Sequence, residues 1–338
     1  MREAWLILLV GVMALGLTGV LRRYALARSL MDIPNARSSH SVPTPRGGGV
    51  AIVLAYLFGV FVLTWLGILS PAQLVALAGA GGAVALIGFM DDHGHIAARW
   101  RLLGHFAAAI WGLWWLGGLP PLMFFGRVVD LGWMGHVLAA FYLVWMLNLY
   151  NFMDGIDGIA GVEAVCVCAG AALLYGLCGE PRLSWACLML AAAAGGFLYW
   201  NFPPARIFMG DAGSGFLGIM IGLLALQGAH VGADLFWMWL ILPGVFIVDA
   251  TATLLRRLAR GDRVHVAHRS HAYQFASRRH GKHLPVTLAV GAINLLWLLP
   301  IAASVVLFGL SGPIGVIIAY GPLIILALKY NAGALESA

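Results

Sequence analysis

Charged side chains are scarce in this sequence. Only 10% of the 338 residues are Asp, Glu, Lys or Arg, whereas 62% are hydrophobic and the mean hydropathy is +0.91. A soluble domain carries about 25% charged residues, so this composition excludes an ordinary soluble fold. Apolar runs of membrane-spanning length follow one another along the whole chain, which predicts an all-α, polytopic integral membrane protein.

Cysteine is also sparse, and its placement excludes a zinc site or a disulfide framework. Four cysteines lie within or beside apolar runs and lack partners at zinc-site spacing, so we expect buried small hydrophobes; they are Cys166, Cys168, Cys178 and Cys187. The sequence also lacks a Walker phosphate loop and a Ser-His-Asp order. Arg22 and Arg23 follow the first apolar run where a signal peptide would have a small-residue cleavage site, so we expect a retained first span.

About eleven apolar stretches can be drawn as spans of a single domain covering residues 1–338. They are 4–21, 47–69, 72–90, 102–118, 133–150, 158–178, 185–200, 212–229, 235–255, 285–308 and 313–329. The weakest are 102–118 and 185–200. No internal repeat supports an inverted-repeat transporter.

Lys and Arg are distributed unevenly between alternate loops. If the first span runs from outside to inside, all of the 20 basic residues except Arg2, Arg127 and Arg182 fall inside. The positive-inside rule then predicts a periplasmic N-terminus and a cytoplasmic C-terminus. The predicted cytoplasmic loops are about 22–46, 91–101, 151–157, 201–211 and 256–284. The net charge of +6 is thereby assigned to membrane orientation, and no nucleic-acid partner is expected.

Polar side chains recur every third residue where the fifth run ends, at Asn148, Asn151, Asp154 and Asp157. On a helix this spacing drifts slowly around one face, so all four groups could reach one polar site. Gly155 loosens the backbone there. A polar cap at the end of a span is the alternative. Four oxygen-bearing groups exceed what a cap needs, and we interpret the stretch as one wall of a metal or phosphate site.

Three further carboxylates lie on the same predicted face. Asp91 and Asp92 are adjacent and repel one another, so at least one is expected to pair with a cation or to have a raised pKa. They could also bind Mg²⁺ directly or through water, or one could serve as a base. Asp211 lies among glycines at a predicted helix start, where free N–H groups attract anions. Interfacial charges and an ordinary helix cap are the respective alternatives.

Cationic side chains accompany these carboxylates and suggest phosphate binding. They occur in the first loop, after Asp92 and in the last loop; the candidates are Arg37, His40, Arg46, Arg101, His105, His265, His268, Arg269, His271 and His283. General positive-inside anchoring, or contact with anionic lipid, remains the alternative for each. Collected at one face, the acidic and basic motifs suit metal-assisted transfer at a phosphorus atom.

Five motifs occur in the order of one family: Asp32-Ile-Pro-Asn…His40…Pro43-Thr-Pro-Arg-Gly-Gly-Gly49, Asp91-Asp92, Asn148-x-x-Asn-x-x-Asp-Gly-Ile-Asp-Gly158, Gly210-Asp-Ala-Gly-Ser214 and the His268 loop. The chain resembles the bacterial polyprenyl-phosphate N-acetylhexosamine-1-phosphate transferases. Within them it is similar to the enzymes that start O-antigen, enterobacterial common antigen or teichoic acid linkage units.

The resemblance implies ten or eleven transmembrane helices in the bacterial inner membrane, with an active site facing the cytoplasm. It implies transfer of a sugar-1-phosphate from a UDP-N-acetylhexosamine to undecaprenyl phosphate, releasing UMP. Mg²⁺ is the implied cofactor, with Mn²⁺ as an alternative, and a homodimer is left open. Ser270 replaces a histidine common in related sequences, and this variant resembles initiators that prefer a 6-deoxy sugar, such as N-acetylfucosamine or N-acetylquinovosamine, over N-acetylglucosamine.

Residue roles also follow from the resemblance. Asp211 is the implied metal ligand, with Asn151 as a second. Asp91 and Asp92 match the pair that activates the lipid phosphate or assists the metal, and Asp154 and Asp157 match acidic positions near the nucleotide. The implied substrate-binding residues are Asn148, Asn151, Arg46, Arg101, His268, Arg269 and His271. Direct attack by the lipid phosphate and a two-step route through a phosphoryl-aspartate both remain open. So do a transporter and an inactive scaffold.

Overall fold

The computed structural model describes residues 3–34, 39–40, 42–94, 96–262 and 268–335. Its helices are α1 (Ala4–Ala27), α2 (Gly49–Trp65), α3 (Pro71–His93), α4 (Ala98–Leu116), α5 (Gly132–Met153), α6 (Ile159–Leu177), α7 (Pro181–Asn201), α8 (Asp211–Val231), α9 (Ala233–Ile241), α10 (Gly244–Ala259), α11 (Ala272–His280), α12 (Leu284–Ile293), α13 (Leu299–Phe308) and α14 (Gly312–Lys329). A π-helical turn, Asn294–Leu298, joins α12 to α13.

Nine of the eleven predicted apolar stretches each coincide with one helix, while 235–255 covers α9 and α10, and 285–308 covers the continuous segment from α12 to α13, which counts below as one helix. In the described part of the chain, eight helices are long and apolar enough to cross a membrane, and α9 with α10 would add a ninth. Helix α2 is apolar as well but has only 17 residues. The prediction of an all-α, polytopic membrane protein is therefore confirmed.

The apolar stretch predicted as a span over residues 235–255 is not one straight helix. The chain bends by 68° between α9 and α10. Pro243 lies at the break and accounts for it. Proline has no amide hydrogen to donate within a helix, and its ring clashes with the preceding turn. The last loop also differs from prediction, because α10 extends to Ala259 and α11 occupies part of 256–284.

Two short antiparallel hairpins interrupt the helical architecture, and neither was predicted. One pairs β1 (Met31–Asp32) with β2 (Thr44–Pro45), and the other pairs β3 (Leu122–Phe124) with β4 (Arg127–Val129). The first hairpin closes the first loop and sets Arg46 directly after β2. It therefore fixes one cation of the candidate site.

Helix α8 is the centre of the bundle. Apart from its two ends, every residue along it is buried. Helix α3 approaches it so closely that a Cβ at Gly88 would lie 2.5 Å from the amide nitrogen of Ala212. Glycine is thus required for this contact, which brings the end of α3 against the first turn of α8. We call this end of the bundle, where α3, α5 and α7 end and α4, α6 and α8 begin, the site end.

Candidate active site

A polar cavity of about 220 Å³ opens at the site end. Its wall comes from the first loop, the end of α5, the segment before α8, and the α11–α12 region. The lining residues are Asp32, Ser39, His40, Arg46, Asn151, Asp154, Gly155, Ile156, Asp157, Asn201, Phe208, Met209, Gly210, Asp211, Ser214, Gln274 and His283. Of the predicted site residues, Arg46, Asn151, Asp154, Asp157 and Asp211 are thus brought together.

The start of α8 is held by Asp92 from the end of α3. Its two carboxylate oxygens accept the backbone N–H groups of Asp211 at 3.1 Å and Ala212 at 3.4 Å. These groups have no partner within the helix, so the carboxylate caps it. Gly210 has φ +78°, and a Cβ there would lie 2.6 Å from Asp92 Oδ2. The side chain of Asp92 is only 4% exposed, which makes it part of the framework of the site.

Two arginines join the carboxylates of this region. Arg46 lies 2.6 Å from Asp92 and 3.0 Å from Asp211. Arg101 pairs closely with Asp91, and its guanidinium is 3.7 Å from Asp211. The expectation that the adjacent carboxylates pair with cations is therefore confirmed. Asp91, Asp92 and Arg101 lie behind the cavity wall, while Asp211 and Arg46 line it.

Asn151 and Asp154 form the facing wall. The Asn151 amide donates to Ser214 Oγ at 3.0 Å, which links α5 to α8. Asp154 follows the last residue of α5 and faces the cavity. Burial, reinforced by the negative charge of Asp211, raises the pKa of Asp154 well above its usual range. A protonated carboxyl, or a cation beside it, would relieve this repulsion.

Asn148 does not reach the cavity. Its amide instead donates to the carbonyl oxygen of Val144 within α5 at 2.7 Å. Each step of three residues turns about 60° short of a full helical turn and retreats about 4.5 Å along the axis, so Asn148 lies deeper and on another face. The expectation that all four polar groups share one site is wrong for this residue.

Asp157 is held by three segments. Its Oδ2 accepts the backbone N–H of Ala205 at 3.0 Å, its carbonyl accepts Thr287 Oγ1 at 2.8 Å, and its Oδ1 lies 3.1 Å from His283 Nδ1. Burial alone would raise the pKa of Asp157, but the hydrogen bonds from His283 and Ala205 outweigh it and lower that pKa.

The predicted His268–His271 group lies outside the cavity wall. His271 is only 2% exposed and stacks on His268 with ring centroids 5.0 Å apart. Burial, and then the neighbouring positive groups of His271 and Arg257, lower the pKa of His268 to about 4. His268, Arg269 and His271 do not line this cavity, and the substrate contacts expected of them stay a prediction. Gln274, one turn into α11, lines the cavity instead.

Asp249 explains where the histidines lie. This carboxylate on α10 accepts the backbone N–H groups of Ala272 and Tyr273, each at 2.9 Å, and lies 3.3 Å from His271 Nδ1. It caps α11 and draws His271 inward. Our sequence reasoning missed Asp249 and Gln274. A lone carboxylate within the apolar run at 235–255 was the available signal for Asp249.

Two predicted cations, Arg37 and His265, lie outside the described residues. Within the residues that are described, no group of three or more His, Cys, Asp or Glu side chains is arranged to hold a metal ion. At the start of α8 the carboxylates pair with arginines, while the Asn151 amide and the Ser214 hydroxyl are hydrogen-bonded to each other.

Comparison with known proteins agrees with this geometry. The model of glycosyl transferase family 4 matches residues 74–229. A probable undecaprenyl-phosphate N-acetylglucosaminyl 1-phosphate transferase of Bacillus subtilis is 30% identical over 274 residues, covering 78% of this chain and 75% of that protein. A decaprenyl-phosphate N-acetylglucosaminephosphotransferase of Mycolicibacterium smegmatis is 30% identical over 289 residues, covering 75% and 71%.

A phospho-N-acetylmuramoyl-pentapeptide-transferase of Rhodopseudomonas palustris is 31% identical over 246 residues, covering 63% of this chain and 66% of that protein. The three names share a sugar-phosphate transfer reaction, and the family match covers Asp91, Asp92, Asn151 and Asp211. The chain belongs to the family of bacterial polyprenyl-phosphate N-acetylhexosamine-1-phosphate transferases.

Proposed function

We propose that this protein transfers N-acetylhexosamine-1-phosphate from a UDP-sugar to undecaprenyl phosphate, releasing UMP and starting the lipid-linked synthesis of O-antigen or another envelope glycan. The observation that carries the proposal is the meeting of Asp211, Arg46 and Asn151 in one polar cavity at the start of α8. The Lys and Arg distribution supports placing this cavity on the cytoplasmic side of the bacterial inner membrane. Both substrates carry phosphate, which this combination of groups suits.

Direct attack is the mechanism that we propose. An oxygen of the lipid phosphate attacks the β-phosphorus of the UDP-sugar, and a P–O bond forms as the bond to the oxygen shared with the α-phosphorus breaks. UMP leaves with that oxygen. Asp92 supports this route over a phosphoryl-aspartate, because its oxygens are already bound to Arg46 and to two N–H groups. Asp91 likewise accepts from Arg101 and from the backbone N–H of Ile96.

The protein's own groups would bind and orient the phosphates. Arg46 lies in the cavity wall and the Arg101 guanidinium lies 3.7 Å from Asp211, so two guanidinium groups stand beside the carboxylates at the start of α8. Guanidinium groups bind phosphate with paired hydrogen bonds. Asp91 and Asp92 hold the two arginines in place. Phosphoryl transfer depends mostly on such positioning and charge stabilisation.

Magnesium fits the oxygen donors of this cavity. Asp211 and the amide oxygen of Asn151 would hold the ion, with the Asp154 carboxylate beside them. Mg²⁺ is usually bound by one or two carboxylates together with substrate phosphates, so a full protein cage is not required. When bound, the ion would neutralise charge on the diphosphate. Mn²⁺ accepts similar oxygen ligands and is the alternative.

A substrate panel tests the proposal. Purified protein is incubated with undecaprenyl phosphate, Mg²⁺ and one of several UDP-N-acetylhexosamines, including 6-deoxy sugars and N-acetylglucosamine. UMP and a lipid diphosphate-sugar should form in equal amounts with at least one donor, and the Asp211→Asn variant should be at least about 100-fold slower. Absence of turnover with every donor would refute the reaction. Sugar-phosphate exchange without acceptor would favour the two-step route.

A further inference from the structure

His283 lies between two loops at the edge of the cavity. Its Nε2 is 3.0 Å from the backbone carbonyl oxygen of Ser39 in the first loop, and its Nδ1 is 3.1 Å from Asp157 Oδ1 in the loop after α5. A carbonyl oxygen can only accept a hydrogen bond, so Nε2 carries a hydrogen in either charge state. The state of Nδ1 is the remaining variable.

Nδ1 has two different partners within reach, both in Asp157. Besides the carboxylate oxygen at 3.1 Å, the backbone nitrogen of Asp157 lies 3.3 Å away. A protonated Nδ1 donates to the carboxylate, whereas an unprotonated Nδ1 accepts the backbone N–H and repels the carboxylate oxygen. The protonation of His283 therefore decides which part of Asp157 it binds.

The rest of Asp157 is fixed, which confines the change to Oδ1. Oδ2 is held by the N–H of Ala205 and the carbonyl oxygen by Thr287. Burial alone would lower the pKa of His283, but the hydrogen bond and negative charge of Asp157 raise it. The shift has the direction expected for an imidazolium that donates from both nitrogens.

The same two side chains stand between two cavities. His283, Asp157, Ser39, His40 and Phe208 line the 220 Å³ cavity and also an adjoining groove of about 470 Å³. Besides His283, the titratable or charged groups in these two walls are Asp32, His40, Arg46, Asp154, Asp157, Asp211 and Lys282. Among them, Asp157 is the ion-pair partner of His283, at 3.1 Å, whereas His40 lies 3.9 Å from Asp32.

We propose that His283 is a positioning residue whose imidazolium ties the Asp157 carboxylate to the first loop and so holds the wall of the donor cavity in one arrangement. Loss of the Nδ1 proton frees Asp157 Oδ1 and loosens that wall. The link to catalysis rests on the proposed function, because it takes the UDP-sugar as the occupant of the cavity. If the wall is already held in place, less conformational entropy is lost when the UDP-sugar binds, and the UDP-sugar binds more tightly.

A titration of the histidine ring protons tests the contact without using activity. One imidazole C2–H signal should be lost in His283→Gln and kept in His280→Gln. His280 is the control because it is an exposed histidine three residues before His283. That signal should titrate above 6.5, the ordinary histidine value, and Asp157→Asn should bring it down. A midpoint at or below 6.5 in the unsubstituted protein, or no response to Asp157→Asn, would overturn the proposal.

Kinetics then tests the consequence for the reaction. The KM for the UDP-sugar should rise about tenfold as pH passes through the His283 midpoint, the size of one charge-assisted hydrogen bond. In His283→Gln the KM should stay high and nearly independent of pH, while His280→Gln keeps the unsubstituted profile. An unchanged profile in His283→Gln would overturn the role. If the unsubstituted protein turns over no UDP-sugar, the proposed function fails, yet the ring-proton titration still decides the contact.

Discussion

Removal of the Asp92 carboxylate should lower the free energy of unfolding by more than is usual for the loss of one small side chain. In Asp92→Ala, two N–H groups at the start of α8 lose their acceptor, and an N-cap is worth about 1 kcal/mol. Arg46 also loses a contact of 2.6 Å. Breaking a buried ion pair costs about 3–5 kcal/mol, but Arg46 is 37% exposed and keeps Asp211, so we take about 2 kcal/mol. The expected loss in the free energy of unfolding is about 3 kcal/mol.

The measurement is equilibrium unfolding of the purified protein in mixed micelles. Asp92→Asn should lose about 2 kcal/mol, because its single amide oxygen still accepts an N–H at the start of α8 whereas the charge attraction to Arg46 is lost. The matched control is Asp130→Ala at the other end of the bundle, where an exposed carboxylate accepts the Gly132 N–H at 2.8 Å; it should cost about 0.5 kcal/mol. Equal losses in Asp92→Ala and Asp130→Ala would refute the assignment of Asp92 as the buried cap of α8.

Three further outcomes are expected. Gly88→Ala should displace α3 from α8 and lower activity at least about tenfold, while Gly82→Ala on the same helix, with open space around it, should be near neutral; similar activities would contradict the close contact. Gly210→Ala should cost about 1 kcal/mol more than Gly126→Ala in thermal unfolding, since both have φ +78° but only Gly210 meets a side chain at 2.6 Å. The stability lost in His283→Gln should be largest between about pH 4 and pH 6.5. It should vanish as pH rises through the raised pKa of the imidazole or falls through the lowered pKa of its carboxylate partner; a pH-independent difference would contradict the charged pair.

Sequence patterns predicted the positions of the helices well, because apolar runs must be helical in a membrane. They also identified Asp211 and Asn151, which line the cavity, because oxygen-bearing side chains are more numerous around them than a helix cap needs. The bend at Pro243 was missed because the apolar run continues on both sides of it. The proline itself was the available signal.

Partners across the fold could not be predicted. The sequence separates Asp92 from Ala212 by about 120 residues, and only the packing of α3 on α8 makes one the cap of the other. Asp249 was likewise hidden, because its partners are backbone groups of α11. Asn148 shows a different error. The regular three-residue spacing suggested that it shares the site, but it lies one step further along α5, away from the cavity.

The enclosure of α8 has a consequence for how the protein is made. Among the described helices, α2, α3, α4, α5, α6 and α7 pack against it and precede it in the chain, whereas α9 packs against it and follows. Synthesis proceeds from the N-terminus, so these helices are available before α8 leaves the ribosome. Asp211 then meets Arg46 and Asp92 already in the membrane, while Gln274 and His283 of the cavity wall arrive later. A nascent chain that stops before α8 would hold an empty groove, and one that ends after it would hold the cluster of charges around Asp211.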